Sequence, residues 1–152
     1  MTELDDADRM IVEALSLDAR QSLAALGARA GLSASAVNER LRRLLARGTI
    51  RALSVDADPA AMGCPVTGFV FVELATGGNE AAFRDIMRES PEVTACHHVT
   101  GPWSYLVQIR VADLDAVETF LAGLKAGGQI ARSETLLALS AVVDPPFRPR
   151  GV

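Results

Sequence analysis

Residues 22–48 read SLAALGARAGLSASAVNERLRRLLARG, two helical stretches hinged at Gly31-Leu32-Ser33. Ser22 is a capping hydroxyl, and behind it Leu23, Leu26 and Ala30 fall on one side of a helix. Gly31 stops that helix, because glycine tolerates the left-handed backbone that helix ends adopt. Ser33 or Ser35 starts the next helix, where Val37, Leu41, Leu44 and Leu45 recur at i, i+4, i+7 and i+8 as a docking stripe; Gly48 ends it. A glycine-containing turn this short forces a sharp angle between the two helices, the geometry of a helix-turn-helix. The face opposite the stripe carries Ser35, Glu39, Arg42 and Arg43.

Upstream, Asp5 or Asp6 caps a first helix bearing Met10, Ile11, Ala14, Leu15 and Leu17, and the polar run Asp18-Ala19-Arg20-Gln21 ends it. Downstream, Thr49 to Val55 reads as a strand, and residues 56–63, punctuated by Pro59 and Gly63, read as a linker. The rhythm then changes. Val66 to Leu74 and Val93 to Val99 read as strands, as does Tyr105 to Val111 after the Gly101-Pro102 turn. Glu80 to Ser90 is a helix with Phe83, Ile86 and Met87 inward; a second, opened by Asp113 and running to Lys125, carries Leu114, Val117, Phe120, Leu121 and Leu124. Gly127-Gly128 breaks it, and Leu136 to Val143 reads as the last strand. The order βαββαβ predicts a ferredoxin-like layer of helices on an antiparallel sheet. The expected division is 1–50 for the helix-turn-helix, 51–64 for strand and linker, 65–145 for the α/β domain and 146–152 for a tail. In that tail region, Pro145-Pro146-Phe147-Arg148-Pro149-Arg150 is unsuited to regular structure.

The net charge of −4 hides an uneven distribution. Between Arg29 and Arg51 stand Arg29, Arg40, Arg42, Arg43, Arg47 and Arg51 against Glu39 alone, a local +5 that leaves −9 for the rest of the chain. Phosphates meet a patch and not a mean, so this concentration points to nucleic acid. With 49% hydrophobic and 22% charged residues the chain can bury a core. No stretch approaches the roughly 20 apolar residues that cross a bilayer, and the acidic N-terminus lacks a signal-peptide layout, so a cytoplasmic protein is expected. Cys64 and Cys96 fit no metal spacing and read as free thiols.

Leu4-Asp5-x-x-Asp8, Ala19-Arg20, Gly31-Leu32-Ser33, Val37-x-x-Arg40-Leu41-x-x-Leu44, Gly48-x-Ile50, Pro91-Glu92-Val93 and Thr100-Gly101-x-x-x-Tyr105, in that order and spacing, resemble the Lrp/AsnC ("feast/famine") family of transcriptional regulators. The resemblance implies an α+β chain: an N-terminal winged helix-turn-helix followed by a ferredoxin-like βαββαβ domain of the RAM type. It also implies regulation of amino-acid metabolism or transport genes, homodimers often assembled into octamers, and an amino-acid effector with no other cofactor.

For DNA, the helix after the turn offers Ser33, Ser35, Asn38 and Glu39 toward its N-terminal half, with Glu39 suited to cytosine and Asn38 to adenine. Arg40, Arg42 and Arg43 suit guanine or phosphate. Arg47 and Arg51 fit either phosphate contact from the wing side or plain solvation. For the effector, the turn in His98-Val99-Thr100-Gly101-Pro102-Trp103-Ser104-Tyr105 exposes backbone groups and hydroxyls that can hold an ammonium and a carboxylate. The resembled pattern has Asp where this chain has Ser104, and a neutral hydroxyl cannot supply that charge. The same resemblance places Thr135 at the site, and Trp103 fits either the pocket or a subunit interface. His97 and His98, adjacent in a strand, point to opposite faces and do not chelate one metal together. Sirohaem decarboxylases share the two-domain architecture, but no catalytic constellation, phosphate loop or metal spacing is present, so no enzymatic activity is expected.

Overall fold

The computed structural model describes residues 4–143; the proline-rich stretch at 145–150 lies outside them. The chain divides into two compact units, one built on the residues up to Asp56 and also taking in Val143, the other covering Ala57–Val142.

The first unit is three helices: α1 (Asp6–Leu17), α2 (Leu23–Ala30) and α3 (Ala34–Ala46). Each begins at a capping side chain that accepts a hydrogen bond three residues on: Asp5 from the Asp8 amide, Ser22 from Ala25, Ser33 from Ala36. These caps satisfy amides that have no partner within the helix. Ile11, Ala14, Leu15, Leu26, Val37 and Leu44 form the core, with Leu41 and Ile50 packed at its edge. Met10, Leu17 and Leu45 were expected in the packed stripes but are exposed. An apolar period marks a stripe broader than the surface three short helices can cover.

The turn between α2 and α3 depends on two glycines. Gly31 takes φ +66°, the left-handed cap that ends α2. Gly27, inside α2, makes room for the chain to double back: a Cβ there would stand 2.4 Å from the Leu32 carbonyl oxygen. The Leu32 amide in turn donates to the Gly27 carbonyl at 2.9 Å.

The strand expected over 49–55 does not form. The Ile50 amide turns back to the Leu44 carbonyl (3.1 Å), and residues 51–58 have no ladder partner among the described residues. A β-rich sequence without a facing strand remains merely extended, so no β wing follows α3 within the described residues.

The second unit runs β1 (Val66–Leu74), α4 (Glu80–Glu89), β2 (Val93–His98), β3 (Tyr105–Val111), α5 (Leu114–Ala126) and β4 (Ile130–Leu137). Its sheet is antiparallel in the order β2-β3-β1-β4, the ferredoxin-like arrangement. Val70 and Val72 of β1 and Val107 and Ile109 of β3 pack beneath Phe83 and Met87 of α4 and Val117 and Leu124 of α5. Ile86, expected inward, is exposed, as is Leu114 at the start of α5. The last strand also begins earlier than expected, at Ile130 and not Leu136. Its ladder is fixed by β1, and the Ala138 amide to the Thr67 carbonyl is its last bond. Beyond that point β1 has no residues to offer, and Leu139, Val142 and Val143 lie exposed. The sequence between is polar because an edge strand needs only half its side chains apolar. Among the described residues no helix is long and apolar enough to cross a membrane.

Candidate functional site

The two faces of α3 divide cleanly. Val37 and Leu44 are buried to 0% and 1% exposure. Ser33, Ser35, Asn38, Glu39, Arg42 and Arg43 are all exposed. Ser33 is occupied as the helix cap, and its hydroxyl lies 3.1 Å from that of Ser35. Arg42 and Glu39 form a loose pair at 3.9 Å with both side chains in solvent, a contact that water screens. Arg29, Arg47 and Arg51 add exposed cations from the same unit.

Arg40 departs from this pattern. Its guanidinium turns inward, donating from Nη1 to the Asp5 carboxylate at 2.5 Å and to Asp8 at 2.8 Å, and its side chain is only 22% exposed. Of the residues expected to reach DNA, Arg40 is therefore already committed within the protein. The Asp8 amide and the Arg40 guanidinium together hold the Asp5 carboxyl below the ordinary carboxylate range, and the two aspartates raise Arg40.

The expected ligand residues are not gathered at one point. His98 and Tyr105 are paired across β2 and β3, and their rings stack at 5.0 Å. Their face is the one covered by the helices, so His97 takes the other. They line a cleft of about 560 Å³ with Arg84, Met87, Arg88, Val93, Thr94 and Cys96. The buried Tyr105 hydroxyl donates to Glu80 (2.5 Å) and accepts from Arg84 Nε (2.6 Å), and Arg84 also reaches Glu80 at 2.7 Å. That hydrogen bond from Tyr105 lowers the Glu80 carboxyl, while burial, followed by Glu80, raises the phenol. Burial likewise raises the Cys96 thiol.

Thr100 and Gly101 are exposed in the turn, Gly101 at φ +105°, a conformation that excludes a side chain without strain. Ser104 is used structurally: its amide donates to the Val72 carbonyl (2.8 Å) and its hydroxyl accepts the Leu74 amide (3.1 Å). The turn is thus stitched to the end of β1, where the β1–β4 register shifts at Glu73/Leu74. Thr135 lies opposite Val70 on β4, separated from His98 by β1 and β3, so one chain does not bring it to the turn. Trp103 lies on the open face, 5.8 Å from the Phe71 ring and capped at 4.3 Å by Arg132, which also pairs with Glu73 at 3.1 Å.

Reading the sequence alone missed Gly27, the partners of Arg40, and the Glu80–Arg84–Tyr105 triad. Glu80 and Arg84 stand at helical i, i+4 spacing, which was a usable signal; nothing local tied either to Tyr105.

Comparison with known proteins places both units. The AsnC-type helix-turn-helix domain matches residues 4–45, and the Lrp/AsnC ligand binding domain matches residues 67–146. The HTH-type transcriptional regulator LrpA of Mycobacterium tuberculosis is 34% identical over 134 residues, 88% of this chain and 89% of that protein. The solved structure of Escherichia coli AsnC superposes with a TM-score of 0.87 at 25% identity, over 97% of this chain and 100% of that one. A feast or famine regulatory protein from M. tuberculosis, complexed with L-methionine, gives a TM-score of 0.87 at 32% identity, over 97% and 100%.

Proposed function

The chain belongs to the Lrp/AsnC family of transcriptional regulators, and from that premise we propose that α3 is its DNA-reading helix and that a free amino acid controls it. Asn38 and Glu39 face base edges in the major groove, while Arg42 and Arg43 contact guanine or phosphate. Ser33 and Ser35 approach the backbone at the helix N-terminus. The observation that carries this reading is the division of α3 into a core-facing side and a wholly exposed polar side. A helix docked by one stripe presents the other rigidly, as groove recognition requires.

The second unit senses the effector. L-Methionine bound to a relative of the same fold supports an amino acid as ligand. The site is the rim formed by His98, Thr100, Gly101, Ser104 and Tyr105, with Thr135 reaching such a site only from another chain. Exposed turn amides suit the ligand carboxylate, and the Ser104 hydroxyl, still able to donate, replaces a family carboxylate. The protein acts in the cytoplasm as a homodimer or larger homo-oligomer on genes of amino-acid metabolism or transport.

The test is a salt titration of binding to a duplex selected from a random library. Wild type loses affinity steeply with salt as counterions are released from the phosphates it neutralises. Arg42→Ala combined with Arg43→Ala makes the slope of log K against log salt shallower by up to about 1.8, at about 0.9 per phosphate contact. Unchanged affinity and slope in the double variant would place the DNA surface elsewhere.

A further inference from the structure

The arginine nearest the middle of α3 faces two aspartates at the other end of the unit's sequence. Asp5 uses one carboxylate oxygen, Oδ1, to cap α1 through the Asp8 amide (2.8 Å) and the other, Oδ2, to accept from Arg40. Asp8 is the buried charged residue of this unit's described core, at 9% exposure, and its carboxylate accepts the same Nη1. One nitrogen thus bridges two carboxylates, and the residues joined are 35 and 32 positions apart in sequence. The bridge sets the start of α1 against the centre of α3. Apolar packing of Ile11 and Ala14 against Val37 and Leu44 leaves helices free to slide or rotate by small amounts; directional, charge-assisted bonds do not.

We propose that Arg40 is a positioning residue that fixes the rotation of α3 about its axis, through Asp5 and Asp8, and is not a DNA contact. The neighbours Glu39 and Arg42 lie about 100° and 200° around the helix from Arg40, from about 3.6 residues per turn, so anchoring Arg40 inward aims them outward. A rotation that relaxes the bridge moves every base-reading side chain at once. The inference rests on α3 being the DNA-reading helix, and the experiment separates the two ideas.

Binding to the selected duplex is measured across a salt series for Arg40→Gln, Asp8→Asn, Asp5→Asn and the Arg40→Gln/Asp8→Asn double variant. Asparagine still caps a helix, so Asp5→Asn removes the charge and keeps the cap. Helix content and melting temperature are followed in parallel, so that affinities refer to folded protein. A positioning role predicts that each single variant loses about tenfold in affinity for the selected site with the salt slope unchanged. It also predicts that the double variant is no worse than the weaker single, because both remove one bridge. A DNA contact predicts the opposite sign at Asp8: Asp8→Asn frees the guanidinium, removes a negative charge and tightens binding, while Arg40→Gln makes the slope shallower by about 0.9. Either of those results overturns the proposal. If Arg40→Gln proves too unstable, the sign of the Asp8→Asn and Asp5→Asn effects decides alone. Failure of the underlying DNA reading shows separately, as unchanged binding in the Arg42/Arg43 double variant.

Discussion

The outer face of α3 and the rim around residues 98–105 are both candidate binding surfaces, and they are built in opposite ways. On α3 every candidate contact comes from the stretch Ser33 to Arg43, spaced by the helix itself, with a buried stripe behind it. At the rim the relevant groups come from β1, α4, β2 and β3, brought together by sheet register and by single bonds such as Leu74 amide to Ser104 hydroxyl. A helical surface is encoded locally and a sheet rim is encoded by pairing. Damage to the first should therefore act through the packing that aims one rod. Damage to the second should act through individual stitches.

The strongest way to break the comparison is Gly27→Val. Its branched side chain must displace the Leu32 carbonyl and with it the start of α3. Overpacking of this kind costs about 1–3 kcal/mol or more, so the first unit should melt well below wild type and DNA binding should be lost. Trp103, the single tryptophan, reports on the second unit by fluorescence and should remain native-like. Loss of both signals together would deny that α3 is locally supported.

A smaller effect is expected from Ser104→Ala, which leaves the part-buried Leu74 amide without its acceptor. Unsatisfied donors cost about 1–3 kcal/mol, so thermal unfolding should shift down while DNA affinity in the absence of effector is retained. Ser104→Asp sharpens the same point. A carboxylate can accept from Leu74 and also pair with an ammonium group, so calorimetry should find amino-acid binding tightened by roughly tenfold relative to wild type. Equal or weaker binding would remove the ammonium from this position.

The smallest effect is in acid. Hydrogen bonding to Tyr105 depresses the folded-state pKa of Glu80 below its ordinary value of 4.5. The stabilisation is therefore present above pH 4.5 and is lost as pH falls through the folded value. Glu80→Gln should lower stability at neutral pH and flatten the acid limb below pH 4.5, where variant and wild type converge. An acid limb identical to wild type would show that the triad is not formed in solution.

How much was legible follows the same division. Ser22, Gly31, Ser33 and the Val37–Leu44 spacing located α2 and α3 because caps, stops and periodicity are all local signals. Tyr105 to Val111 was readable to its ends, since a central strand alternates strictly buried and half-buried. The start of β4 was not, because Ser133 and Thr135 occupy the helix-facing positions of an edge strand that polar residues tolerate. Arg40 looked like its neighbours Arg42 and Arg43 in sequence, and only the return of α1 against α3 distinguished it. Thr135 lies on β4 opposite Val70, with β1 and β3 between it and His98, a separation that only the strand order reveals. What sequence left open were contacts made across elements, from Gly27 against Leu32 over the turn to Arg40 against Asp5 and Asp8.

Photo-crosslinking puts the central claim to its most direct trial. A photoreactive amino acid is placed singly at Asn38 or Glu39 on α3, or at the exposed Thr119 on α5, and each protein is irradiated with the selected duplex. Covalent adducts from positions 38 and 39, attached at bases and suppressed by excess unlabelled duplex, are the expected result. Adducts from position 119 with none from 38 or 39 would contradict the assignment of α3 as the surface that reads DNA.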